Sequence, residues 1–296
     1  MSLSPHFGVR FAPSPTGRFH VGNLRTAWIS HSLARVRQQP WIVRFEDIDT
    51  PRVLPGAMDQ QLSDLATLGM VPDTIVVQSK LLNRHKDVFS LAVNSGQVYP
   101  CTCSRAEVQR ALANLASAPH EIEPLYDGTC RATRWDPVQI LKRPENRQIA
   151  WRFRSPPDSG HQDFIVARTT GGISTVAPSY HFACAIDDYD GNYGLLVRAW
   201  DLAPARLIQK AIYDWLSSKE IPRVYPEIFH TSLVTDNDGR RLEKRTKGVT
   251  LEELLASGHD VGGLILLFER SFAVVGPLSD GERHQQITLS SLGIVN

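Results

Sequence analysis

The segment RFAPSPTGRFHVGN, from Arg10 to Asn23, constrains the fold of this chain more than any other. Before it stands FGVRFA, an alternating run that reads as a strand ending at Pro13. After it comes NLRTAWISHSLARVR, with apolar residues at Leu24, Ala27, Trp28, Leu33 and Val36, which is helical spacing. WIVRFED, Trp41 to Asp47, reads as a second strand running into the loop IDTPRVLPG. AMDQQLSDLATLG reads as a second amphipathic helix, closed at Gly69 as a C-terminal cap would be. Strand, helix, strand, helix within seventy residues predicts an α/β fold built on a parallel sheet with crossover helices.

From about Tyr99 the character changes. YPCTCSRAEVQR, EPLYDGTCR and the proline-rich RSPPDSGHQDF read as an insertion made of short elements. SYHFACAIDDYDGNYGLLVRAWD then resumes strand-like apolar runs, and ARLIQKAIYDWLSS reads as a helix. EIFHTSLVTDNDG holds a hairpin-like turn, followed by the basic loop RRLEKRTKG. Thr250 and Glu253 form a capping-box pattern that opens a helical C-terminal portion.

The totals exclude several classes. A chain of 296 residues with 42% apolar and 21% charged residues is ordinary for a globular protein. MSLSPHFGVRFAPSP lacks a basic region followed by an apolar one, so no signal peptide is expected, and no apolar run is long enough to span a membrane. The expected compartment is the cytoplasm. A net charge of +1 neither suggests nor excludes a nucleic-acid partner, because binding depends on a local basic face. Four cysteines are too few for a disulfide framework in a chain this long.

A parallel sheet binds ligands at the carboxyl ends of its strands, and RFAPSPTGRFHVGN is a loop at such an end. Gly17 and Gly22 let backbone approach a ligand closely, and the next helix offers its N-terminal N–H groups to phosphate. His20 and Asn23, three residues apart at the helix entrance, can face one side as hydrogen-bond donors. A proline-rich turn with a satisfied surface histidine accounts for the same letters. Cys101, Cys103 and Cys130 are spaced as tetrahedral zinc ligands would be, and equally as buried free thiols. Cys184 reads as a small buried hydrophobe.

RFAPSPTGRFHVGN resembles the HIGH signature of class I aminoacyl-tRNA synthetases in the form used by the glutamyl branch. VRFEDID and RRLEKRTKG come later in the family's order and spacing, the latter resembling its KMSKS signature. The likeness runs from Arg10 to about Leu255. It implies a Rossmann-type parallel sheet carrying an inserted zinc-binding subdomain and a helical C-terminal portion. On that pattern, 1–98 and 179–235 form the two halves of the catalytic domain and 99–178 the acceptor-type insertion, while 236–296 holds the KMSKS-like loop and a helical stem-contact region.

The implied activity is adenylation of L-glutamate by ATP with Mg2+, in which the substrate carboxylate is itself the nucleophile. His20, Gly22, Asn23 and Lys244 would then meet ATP, with His20, Asn23 and Lys244 stabilising charge on the phosphates. Arg10 and Glu46, at the ends of neighbouring strands, suit a carboxylate and an ammonium group; a structural ion pair between them is the alternative, which would not explain why both sit at strand ends beside the phosphate loop. The resemblance extends the glutamate pocket to Phe11, Ala12, Pro13, Ser14, Tyr180 and Arg198. It also adds Tyr126 to Cys101, Cys103 and Cys130 as a fourth ligand of structural Zn2+. Two departures stand out. Asn23 replaces the His or Gly of many relatives, and RLEKR carries Arg241 for the first lysine and Glu243 for a small residue.

The chain ends soon after the second signature, without the anticodon-reading region of full-length glutamyl enzymes. That resembles the truncated branch that activates glutamate without tRNA and esterifies it to the queuosine base in the anticodon of tRNA(Asp). EDIDTPR has the look of that branch, while LRTA and PSYHFACAIDD look more like full-length enzymes. A minimal synthetase charging a tRNA 3′ end, a non-catalytic RNA-binding relative and another nucleotidyltransferase on the same fold are the alternatives. A monomer is the expected state.

Overall fold

The computed structural model describes residues 7–104, 126, 128–131, 148–156, 159, 161–170, 175–240, 242, 249–275 and 286–294. In chain order the elements begin β1 Val9–Phe11, α1 Val21–Val36, β2 Trp41–Phe45, α2 Ala57–Thr67, β3 Thr74–Val77, α3 Leu82–Asn94, β4 Val98–Cys101, β5 Ile149–Phe153 and β6 Phe164–Thr169. They continue β7 Ala177–Pro178, α4 Tyr180–Gly191, β8 Leu195–Ala199, α5 Ala205–Lys219, β9 Glu227–Thr231, β10 Val234–Thr235, α6 Leu251–Ala256, α7 Val261–Val275 and β11 Ile287–Thr288. Two compact units result. The first comprises Met1–Lys80, Gly191–Pro204 and Arg223–Asn296; the second comprises Leu81–Asp190 and Ala205–Pro222. Among the described residues no helix is long and apolar enough to cross a membrane.

The first unit is built on a five-stranded, all-parallel sheet in the order β3-β2-β1-β8-β9. Register assigns the two faces different work. Val9 and Phe11 pair with Trp41 and Val43 on one side and Leu195 and Val197 on the other, and all are buried in the main core. That core continues through Leu24 and Ala27 of α1, Leu65 of α2 and Phe268 of α7. Residues of the other parity show a smaller apolar cluster of Ile42, Leu196 and Tyr193, and then, toward the carboxyl ends, charge. Trp41 is pinned from both sides, its indole N–H donating to Ser30 of α1 at 2.9 Å and its backbone N–H to Asp73 at 2.8 Å.

In the second unit β4-β5-β6-β7 form an antiparallel sheet accompanied by α3, α4 and α5. Arg84 of α3 forks to Asp190 of α4 at 2.9 Å and to Glu220 just past α5 at 2.6 Å. His85 meets Asp187 at 2.6 Å, both buried.

Two readings of the sequence are corrected. SYHFACAID does not continue a strand; it is helix α4. Eight consecutive residues, Phe182 to Tyr189, are buried, so the helix has no polar face to betray its period. The residues EIFHT form no hairpin with the adjoining SLVT. β9 joins the parallel sheet beside β8, and β10 pairs in parallel with β11, some fifty residues on. The turn itself exists, with Asp236 accepting from the backbone of Asp238 and Arg240.

Candidate active site

The loop after β1 ends at the entrance of α1, and His20 is that helix's N-cap. Its Nδ1 accepts from the backbone N–H of Gly22 at 3.1 Å and of Asn23 at 3.3 Å. A nitrogen that accepts carries no proton, so the ring is the tautomer protonated at Nε2. Asn23 closes the box in return, its Oδ1 accepting from the His20 N–H at 3.3 Å, so its amide N–H2 is not used in the cap. Gly22 sits in close quarters. A Cβ there would stand 3.0 Å from the His20 ring and 3.3 Å from Val234. Gly17 holds φ 134°, a left-handed conformation natural only to glycine.

Two further sets of contacts fix this entrance. Val21 donates to the Val249 carbonyl at 2.8 Å, and His20 and Thr250 form an antiparallel bridge. Thr250 caps α6 in a box with Glu253, as the sequence indicates. Arg241, Glu243 and Lys244 lie outside the described residues; the segment that holds Lys244 is flanked by Leu242 and Val249, both buried in the core of the first unit. Inside α1, buried Arg25 donates to Ser271 of α7 at 2.8 Å, and burial pulls its pKa down to about 10. Thr26 meets Thr231 at the end of β9 at 2.9 Å.

On the charged face of the sheet stand Arg10, Arg44, Glu46, Arg198 and His230, all at most 6% exposed. Arg44 donates to Glu46 at 3.0 Å, and Arg198 to His230 at 3.1 Å. Glu46 thus takes a structural ion pair from Arg44 of its own strand. Arg44 and His230 carry no motif that singles them out; the signal is alternation, since Arg44 and Glu46 share one face of β2, as Arg198 and His230 share one across paired strands. The N–H of Glu46 donates to the Pro13 carbonyl at 2.9 Å, so the ends of β1 and β2 are tied together. Phe11 is part of the apolar core, Pro13 is buried, and Ala12 and Ser14 line the same loop. Tyr180 opens α4 in the second unit and is 37% exposed.

The second unit gathers the thiols. Cys101, at the end of β4, Cys103 and Cys130 place their sulfurs within 4.8 Å of one another, and none is in a disulfide. Cys103 and Cys130 stand 3.5 Å apart, and the Tyr126 hydroxyl lies 3.6 Å from Cys101. Two sulfurs bound at about 2.3 Å to one tetrahedral ion stand about 3.8 Å apart, so the donor set fits zinc. Burial disfavours the Cys101 thiolate, yet Arg152, then the Cys103 backbone N–H and then Tyr126 outweigh it and hold this thiol below its ordinary value. Burial pushes Cys103 up to about 12, with Cys130 and Cys101 adding to it. Arg152 stacks on Tyr126 at 3.6 Å. Asp163 braces the cluster, accepting from Tyr99 at 2.6 Å, Arg131 at 2.7 Å and the Ser155 N–H at 2.8 Å. Cys184 is buried within α4, away from this set in sequence, as expected of a small hydrophobe.

A five-stranded parallel sheet whose central strand leads to a histidine-capped helix is a Rossmann-like α/β architecture, and the comparisons agree. Residues 6–269 match the family described as tRNA synthetases class I (E and Q), catalytic domain, and the chain belongs to that family of ligases. It is 33% identical over 276 residues to a glutamyl-Q tRNA(Asp) synthetase of Rhodopirellula baltica, covering 84% of this chain and 80% of that one. The protein of the same name from Synechococcus sp. is 32% identical over 292 residues, covering 97% and 91% of the two chains. Among solved structures, a glutamate tRNA ligase of Elizabethkingia meningosepticum, crystallised with its amino acid, matches with TM-score 0.65 at 24% identity. The match covers 81% of this chain and 52% of that one, so the chain spans about half the length of that enzyme.

Proposed function

We propose that the chain activates L-glutamate with ATP in the absence of RNA and transfers it to the queuosine base in the anticodon of tRNA(Asp). The observation that carries the first step is a sheet face holding three buried guanidiniums, in a sheet whose first strand leads to a helix entrance built around His20. Glutamate brings two carboxylates and one ammonium. Arg10 and Arg198 each present a planar fork suited to a carboxylate, and Glu46, fixed by Arg44, presents a carboxylate to the ammonium.

The substrate α-carboxylate attacks the α-phosphorus of ATP in line. A new bond joins that oxygen to phosphorus, and the bond from phosphorus to the pyrophosphate oxygen breaks. No protein nucleophile is needed, so the chain contributes alignment and offsets charge on phosphate oxygens. His20 would donate from Nε2, Asn23 from its amide, and the first turn of α1 from its N–H groups; Lys244 would act from the opposite side. ATP enters as its Mg2+ complex, which offsets part of the phosphate charge.

In the insertion assigned to 99–178, Cys101, Cys103, Cys130 and Tyr126 would hold Zn2+ as a structural cross-link. The transfer to tRNA(Asp) rests on the names of the relatives. Exchange of labelled pyrophosphate into ATP tests the activation step. Glutamate-dependent exchange without RNA supports this reading. Exchange that requires tRNA(Glu) would replace it with a minimal glutamyl-tRNA synthetase, and a folded protein that adenylates no amino acid would be a non-catalytic relative.

A further inference from the structure

The loop from Ser14 to Phe19 is held from beneath by two polar residues of α2 that occupy positions a helix normally fills with apolar side chains. Gln61 and Asp64 are three residues apart, share one face of the helix, and are buried. The Gln61 amide donates to two carbonyls at once, that of Ser14 at 3.2 Å and that of Gly17 at 2.6 Å. Asp64 accepts the backbone N–H of Phe19, the residue before the helix cap. The neighbouring carbonyls are engaged as well, Pro13 by the Glu46 N–H at 2.9 Å and Pro15 by the Leu54 N–H at 3.1 Å.

The consequence is electrostatic. Carbonyl oxygens repel phosphate, and a glycine- and proline-rich loop has little side-chain bulk to keep them turned away. We infer that Gln61 and Asp64 are positioning residues for ATP: they rotate the Ser14 and Gly17 carbonyls inward and set the height of Phe19. The polyphosphate is thereby left to meet N–H groups and the His20 ring. Gln61 carries the larger share, because its one amide group donates to two carbonyls. Arg18, within this loop, pairs with Glu252 at 3.0 Å, and both are exposed.

This inference rests on the proposed adenylation, and its test separates the two. Gln61→Leu keeps the size and removes both donors; Asp64→Leu removes the acceptor for Phe19. Affinity for a non-hydrolysable ATP analogue is measured by calorimetry, and exchange kinetics at varied ATP and varied glutamate alongside. The expected result for Gln61→Leu is about tenfold weaker analogue binding and a matching rise in KM for ATP, with KM for glutamate unchanged. Asp64→Leu is expected to weaken analogue binding by less, about threefold, again with KM for glutamate unchanged. Unchanged ATP affinity in a folded Gln61→Leu protein would overturn the inference, as would equal losses for ATP and glutamate. Should Gln61→Leu not fold, Gln61→Glu serves: its analogue affinity is expected to recover as falling pH protonates the carboxyl and restores one donor, and no such recovery would refute the role. Wild-type protein that binds the analogue but adenylates no glutamate would sink the proposed activity while leaving the clamp measurable.

Discussion

His20 holds two backbone donors at Nδ1, and this single arrangement joins folding to chemistry: the bonds that cap α1 are the bonds that leave the proton on Nε2. The two roles separate by substitution. Asn is a competent N-cap, so His20→Asn is expected to leave the thermal unfolding midpoint near wild type and to lower exchange about 100-fold, the scale of one lost transition-state donor. A loss of stability with activity retained would reverse the assignment. Gly22→Ala makes the complementary case. Alanine gains about 1 kcal/mol of helix propensity, but its Cβ meets the His20 ring at 3.0 Å. Stability is therefore expected to change little, while kcat/KM falls about 10–100-fold as the ring is displaced. At this scale the sequence is most informative where chemistry demands particular letters. Arg10, His20, Gly22, Asn23, Glu46 and Arg198 can be singled out from it, and the structure brings Arg10, Glu46 and Arg198 to one face of the sheet. Arg44 is marked only by its alternation with Glu46, and Gln61 and Asp64 are not legible, because a buried polar residue on a helix differs from an exposed one only by its surroundings.

Among elements, α1, α2 and β2 announce themselves by period, whereas α4 does not, since burial on every side erases the alternation that marks a helix. β9 and β10 escape a sequence reading for another reason. Local turn chemistry at Asp236 is real, but strand pairing is settled by distant partners, β8 and β11. Asp73 shows how an element is anchored, accepting from the Trp41 N–H and from Arg35. Those contacts, the Trp41 bond foremost, hold its carboxyl below the usual carboxylate range. A depressed folded pKa stabilises above the unfolded value and loses that contribution as pH falls through the folded one. Asp73→Asn is thus expected to cost up to about 1 kcal/mol in urea unfolding at pH 7, discounted for its exposure, and the difference should vanish in acid below the ordinary carboxylate range. In the second unit, metal analysis of the purified protein is expected to find one Zn2+ per chain. Cys103→Ser should lose it and lower the unfolding midpoint by several degrees. Full stability of that variant, with no metal in either protein, would mean the thiols are simply buried.

For the molecule as a whole, the class of fold is legible in the first seventy residues, because strand, glycine-rich loop and capped helix leave few alternatives to a parallel sheet. What sequence motifs could not supply is the acceptor. The catalytic sheet activates an amino acid by the same chemistry whichever RNA receives it, and specificity resides in surfaces read by no short motif. The account therefore turns on where the glutamate goes. Labelled glutamate, ATP and the protein are incubated with tRNA(Asp) that carries queuosine, with tRNA(Asp) that lacks it, and with tRNA(Glu). Each tRNA is tested intact and with its 3′-terminal adenosine removed. The account expects label only on queuosine-bearing tRNA(Asp), undiminished by loss of the 3′ adenosine. Label on tRNA(Glu) that disappears with that adenosine would contradict it.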